Sequence, residues 1–136
     1  MKITVDTNVL ISATFWDGYS DKIIQKVEMK EIELVLSEEL IGEFSKVLGY
    51  KEIQNKIKTK NLEMKRTVGK IVSLSTIVKP HKKLDIIKDD PDDNKVLECA
   101  KAGGVDFIIS NDNHLLKLKK FEKIKIVSPK EFLLEN

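Results

Sequence analysis

KITVDTNVLISA, residues 2–13, decides the fold. Ile3 to Val5 form an apolar, β-prone run that stops on Asp6. Thr7 and Asn8 follow, and Val9, Leu10 and Ile11 then resume the apolar run. A strand that ends on a carboxylate and passes at once into an apolar helix belongs to a buried sheet whose helices start at its edge. Working outward, the same grammar recurs. ELVLS (33–37) reads as a second strand, with Ser37 capping a helix over 38–48. STIVK (75–79), DFIIS (106–110) and KIKIV (123–127) read as three more.

Helical periods fill the gaps. Asn8 to Thr14 suits a short buried helix, broken by Trp16, Asp17 and Gly18. Ser20 is placed to cap a helix reaching about Lys30, with Ile23, Ile24 and Val27 on one face. Leu40, Ile41, Phe44, Val47 and Leu48 stripe the next helix, and Gly49 stops it. Residues 51–73 read as one or two lysine-rich helices with Ile53, Ile57, Leu62, Val68, Ile71 and Val72 inward. The acidic turn DDPDD (89–93) feeds a helix from about Asp92 to Ala102, stopped by Gly103 and Gly104. A short helix starts near Asn113, and a last one follows Ser128 and Pro129. Alternation of this kind predicts an α/β fold: a central parallel sheet of about five strands with helices on both faces, a three-layer α/β/α sandwich.

Composition narrows the function. A chain of 136 residues suits a single domain over 1–136. With 6% aromatics the core must be Ile, Val and Leu. No apolar run approaches the ~20 residues of a membrane span, so no membrane partner is expected. Asp6 interrupts any signal-peptide pattern, and a lone Cys99 excludes an internal disulfide; both agree with a cytoplasmic location. The net charge of +2 is too mild to dictate a polyanionic partner. The lysines are clustered, however: six at 51–70, then Lys79, Lys82 and Lys83, then Lys117, Lys119, Lys120 and Lys123. Solvated helix faces account for such clusters; phosphate contact needs a further feature.

That feature is carboxylate. Asp6 and Asp112 follow strands, Asp93 tops the inward face that continues in Val96, Leu97 and Ala100, and Glu43 borders the stripe of its helix. Singly, each is a helix cap or a surface acid. In a parallel sheet, the first turns of successive helices open on one edge, which brings the four together. Carboxylates about 4 Å apart repel by roughly 4 kcal/mol at an effective dielectric of about 20. Protonation, lysine or a divalent cation must relieve this, and Lys95 alone has the spacing to help. An all-oxygen set suits Mg²⁺ or Mn²⁺ rather than Zn²⁺. His81 reads as exposed loop and His114 as helix surface, without zinc spacing.

Four blocks carry a resemblance: VDTNVLISA, EELIGEFSKVL, DPDDNKVLECAKAGG and DFIISNDNHLL. In order and spacing they resemble the PIN-domain (PilT N-terminus-like) nucleases, in particular the prokaryotic branch described as toxins of toxin–antitoxin pairs. The family's four acids fall on Asp6, Glu43, Asp93 and Asp112, with Asp92 competing for the third place. Asn111 stands where the family usually has glycine. The resemblance implies a PIN-like fold and a metal-dependent endoribonuclease, with Mg²⁺ or Mn²⁺ as cofactor, RNA as substrate and an antitoxin protein as partner. Cleavage would leave a 5′-phosphate and a 3′-hydroxyl. Asp6 would be the central ligand, with Asp93 and Asp112 flanking it. Glu43 would orient the attacking water or bind a second ion. Asn8 and Ser110 would fix the carboxylates.

Residues 51–70 then have two open uses: RNA contact, or a homodimer interface through their apolar side. Phe15, Trp16 and Tyr19 read as core rather than as a base-stacking platform. Two other functions stay in view. One is a PIN-like RNA-binding or scaffold module without turnover. The other is a phosphotransfer or receiver domain, for which the D-x-D and acidic-pair signatures are missing.

Overall fold

The structure, a computed structural model, describes residues 1–16, 18–59 and 63–136. The readings made for Asp17, Lys60 and Leu62 lie outside the described residues. Six strands form one sheet: β1 (Lys2–Val5), β2 (Glu33–Ser37), β3 (Ser75–Val78), β4 (Phe107–Ile109), β5 (Lys120–Phe121) and β6 (Ile124–Val127), in the order β3-β2-β1-β4-β6-β5. All neighbours are parallel except β5 and β6. The helices are α1 (Thr7–Phe15), α2 (Tyr19–Glu28), α3 (Glu38–Leu48), α4 (Lys51–Thr59), α5 (Met64–Leu74), α6 (Asn94–Gly103), α7 (Asn113–Leu116) and α8 (Pro129–Glu135). Among the described residues, no helix is long and apolar enough to cross a membrane.

Strand parity shows both faces to be covered. Ile3 pairs with Leu34 and Phe107, and Phe107 meets Phe132 of α8 edge to face at 5.3 Å. Thr4 points the other way and meets Cys99 of α6 at 3.6 Å. Val35 shares that second face. A Cβ on Gly103 would stand 2.5 Å from its methyl, so the missing side chain lets α6 close on β2. Gly104 then ends α6 with φ +59, a conformation that glycine adopts without a Cβ penalty. Cys99, buried here with its thiol pushed up to about 11 by burial, packs as a small apolar group.

The structure corrects several readings. Gly18, not Ser20, precedes α2, and no side chain caps it; Ser20 is buried inside the first turn. Residues 51–73 form two helices, in keeping with the reading of one or two, but Val72 is exposed rather than inward. Phe15 is core, but Trp16 and Tyr19 are surface residues, with Lys56 Nζ 3.8 Å above the Trp16 ring. The sheet has six strands rather than five, because β5 returns on β6 through Glu122 and Lys123. No Gly or Asn marks that turn, although Glu122 takes φ +54.

This topology fixes where a site can lie. From β1 the chain moves to β2 and β3 on one side, and from β4 to β6 on the other. The gap between the carboxyl ends of β1 and β4 is therefore the switch point of the sheet, where open α/β folds leave a crevice.

Candidate metal centre

Asp6 ends β1 at that switch point and caps α1. Its amide donates to Ile109 O of β4 at 3.3 Å, so the two strand ends are tied. Its Oδ1 accepts from Val9 N at 3.0 Å and its Oδ2 accepts from the Ser110 hydroxyl. Ser110 is fully buried, and its Oγ also accepts from Asp112 N at 2.9 Å. One hydroxyl thus bridges two acids. Asp6 is 5% exposed, and burial pushes its carboxyl up to about 6 against the opposing Ser110 bond. Asp112 caps α7, taking the His114 N–H at 2.7 Å. His114 is therefore not a plain surface residue: its Nδ1 lies 3.4 Å from Asp112 Oδ1 and 3.9 Å from Asp93 Oδ2.

The facing side is built without strands. Residues 84–90 run beside α6 as a strap that two α6 side chains fasten. Glu98 accepts from Leu84 N at 2.8 Å. Asn94 Oδ1 accepts from Ile86 N and Ile87 N, and its Nδ2 donates to the carbonyls of Ile87 and Pro91. The strap delivers Asp90, and one 3₁₀ turn, Pro91–Asp93, delivers Asp92 and Asp93. Asp92 has a well-exposed side chain paired with Lys95 at 3.1 Å. Asp93 is only 8% exposed, and among the described residues its Oδ2 is buried with no hydrogen-bond partner. Burial, then the charges of Asp112 and Asp90, push its carboxyl up to about 8. Glu43, half-buried on α3, is also raised, by burial and then by Asp92, with Lys95 opposing.

Asp6, Glu43, Asp90, Asp92, Asp93 and Asp112 line one cavity of about 90 Å³, with Thr7, Asn8 and Val96 completing the wall. The cavity therefore gathers all four acids named from the sequence, and their rival Asp92. Three of these acids, Asp90, Asp93 and Asp112, and the adjoining His114 each offer a ligand atom, and these four atoms lie within 4.8 Å of one another. Asp6 and Glu43 stand outside that tighter set. Ser110 contacts Asp6 through its side chain, whereas Asn8 is exposed and approaches Asp6 through its backbone. Asp90 and His114 are not among the candidate ligands the sequence offers. Asp90 hides in an acidic run, and His114 reads as helix surface without zinc spacing.

The residues present fit a hard or borderline dication. Crowded carboxylates and a buried, unpartnered carboxylate oxygen are what such an ion relieves. A family model described as PIN domain matches residues 2–114. No curated protein matches the chain significantly. Among solved structures, the chain is similar to one described as VapBC2 from Rickettsia felis bound to a DNA fragment from their promoter. The identity is 14% and the TM-score 0.62, with 94% of this chain and 98% of that one covered. At that identity the likeness is one of fold.

Proposed function

We propose a nuclease function from one premise: this chain belongs to the PIN-domain family. In this reading residues 1–136 act as a single domain that hydrolyses RNA phosphodiesters with Mg²⁺ or Mn²⁺. The observation that carries it is the cavity at the sheet's switch point, where six carboxylates converge and Asp93 keeps one oxygen free. Asp6, Asp93 and Asp112 would hold the ion. When bound, such an ion neutralises the acids, polarises a phosphoryl oxygen and acidifies water.

The chain's own groups do the rest. Ser110 locks the Asp6 and Asp112 backbone and side-chain positions against each other. Lys95 neutralises Asp92 at the rim, so that the outermost acid repels an incoming phosphate less. Glu43, half-buried with a raised affinity for protons, orients the attacking water and accepts its proton. In-line attack then leaves a 5′-phosphate and a 3′-hydroxyl. Exposed lysines on α4 and α5, such as Lys51, Lys58 and Lys65, supply cations for the RNA backbone. A toxin role, with an antitoxin protein as partner, draws support from the VapBC2 likeness.

The test is cleavage of a mixed RNA pool by purified protein with and without Mn²⁺, beside Asp6→Asn and Asp93→Asn. Each substitution should lower the metal-dependent rate by about 10²-fold or more. Variants that cut as fast as the parent would overturn the assignment. Binding of RNA with no metal-dependent turnover by the parent would make the chain a binding module instead.

A further inference from the structure

A nitrogen stands beside the acids of the cavity. His114 Nδ1 stands 3.4 Å from Asp112 Oδ1 and 3.9 Å from Asp93 Oδ2, and it joins Asp90, Asp93 and Asp112 in the set of four mutually close donor atoms. The backbone enforces this. Asp112 takes the His114 N–H at the start of α7, which keeps the imidazole beside the carboxylate. Across the cavity Asn94 fastens the strap that carries Asp90. A second observation points to a ligand. Asp93 Oδ2 is buried and unpartnered, and 3.9 Å is too long for a hydrogen bond from the imidazole. Ligand atoms that share one ion stand about 3–4 Å apart, which is how this nitrogen stands to both acids.

We propose that His114 joins the acids of this site as a metal ligand, and that a donor set including its nitrogen selects Mn²⁺ or a similar transition-metal dication over Mg²⁺. Mg²⁺ asks for oxygen and keeps its water, whereas imidazole suits transition metals. The inference rests on the metal-site reading above and refines it. The competing arrangement is a protonated His114 that merely pairs with the two acids; it places no nitrogen on an ion.

The test uses the full chain, stripped of metal and loaded with one equivalent of Mn²⁺ near pH 8, read by pulsed electron paramagnetic resonance for ¹⁴N coupling. The chain has only two histidines, so the assignment is unambiguous. His81 is exposed and outside the acid cavity. Coupling from a coordinated imidazole is expected in the parent and in His81→Ala, and lost in His114→Ala. Mn²⁺ affinity should fall on the order of tenfold in His114→Ala, while Mg²⁺ affinity, read by competition, should stay nearly constant. The parent spectrum decides even if His114→Ala fails to fold. Mn²⁺ bound in an Asp93-dependent way without ¹⁴N coupling would overturn the role of His114 and leave the metal site standing. Mn²⁺ that fails to bind, or binds Asp93→Asn equally well, would overturn both.

Discussion

The cavity has two halves made in different ways. Asp6 sits on a strand end, its amide bonded to the next strand and both of its oxygens occupied by Val9 and Ser110. Asp93 sits on a 3₁₀ turn after a strap that no strand pairs, held by side chains of α6, with one oxygen idle among like charges. The sheet-built acid is satisfied by the fold itself, although the neighbouring Thr7 Oγ1 is buried without a hydrogen-bond partner among the described residues. The strap-built half is satisfied only when something enters the cavity, a proton or a cation. A cost of this kind, accepted at one spot in an otherwise well-paired interior, is what a binding site leaves in a structure.

Asn94→Ala should break the contrast most severely. Asn94 is 4% exposed and makes four hydrogen bonds to the backbone of residues 86, 87 and 91. Its loss strands donors and acceptors around the buried Ile87, at a cost of about 3 kcal/mol. Thermal denaturation should show a Tm lower by roughly 10 °C for a chain of this length. Mn²⁺ affinity should fall with it, since Asp90 is no longer held. A Tm within about 2 °C of the parent would mean that packing of Leu84 and Ile87, not the amide clamp, fixes the strap.

A smaller effect separates the halves by sign. Asp93 holds its proton to about pH 8 in the fold, against an ordinary value of 3.8. Between those values the unfolded chain binds fewer protons than the native one. The metal-free fold therefore loses stability as pH rises through that window. Asp6 adds a loss confined below about pH 6. Asp93→Asn should flatten most of this slope and raise the metal-free Tm at pH 8 by a few degrees. Asp6→Asn should gain nothing there, because Ser110 and Val9 lose their anionic acceptor. Denaturation in chelator from pH 5 to pH 8 reads the difference. Added Mn²⁺ should stabilise the parent at pH 8 and not Asp93→Asn. Identical slopes for parent and Asp93→Asn would erase the distinction between the halves.

The same contrast explains what could be read from the sequence. Asp6 and Asp112 are legible because strands write their ends as a break in apolar runs, and Glu43 and Asp93 because helices have a period. Asn94 and Glu98 act by side-chain bonds to a passing backbone, which leave no period, and nothing in the sequence singles them out. His114 is placed by a capping aspartate two residues earlier, a local geometry that metal-ligand spacing does not record. The hairpin of β5 and β6 escaped because its turn uses Glu122 where glycine or asparagine would have announced it. Trp16 and Tyr19 misled because a large aromatic counts as apolar in a pattern, yet each stays about half exposed here.

The finest probe is Ser110→Ala, at the seam of the two halves. Its hydroxyl donates to Asp6 and accepts from Asp112 N, so deletion leaves two groups short of a partner and costs about 1–2 kcal/mol. The Ser110 bond is also the largest influence opposing burial at Asp6. Its removal should push the Asp6 titration above about 6 and leave Asp93 near about 8. Carboxyl ¹³C shifts of metal-free protein follow both groups at once. If Asp93 moves as far as Asp6, the seryl bridge transmits charge across the cavity, and the two halves titrate as one unit. If Asp6 moves alone, the sheet-built half owes its more nearly ordinary acidity to one buried hydroxyl, and the strap-built half has no counterpart to it.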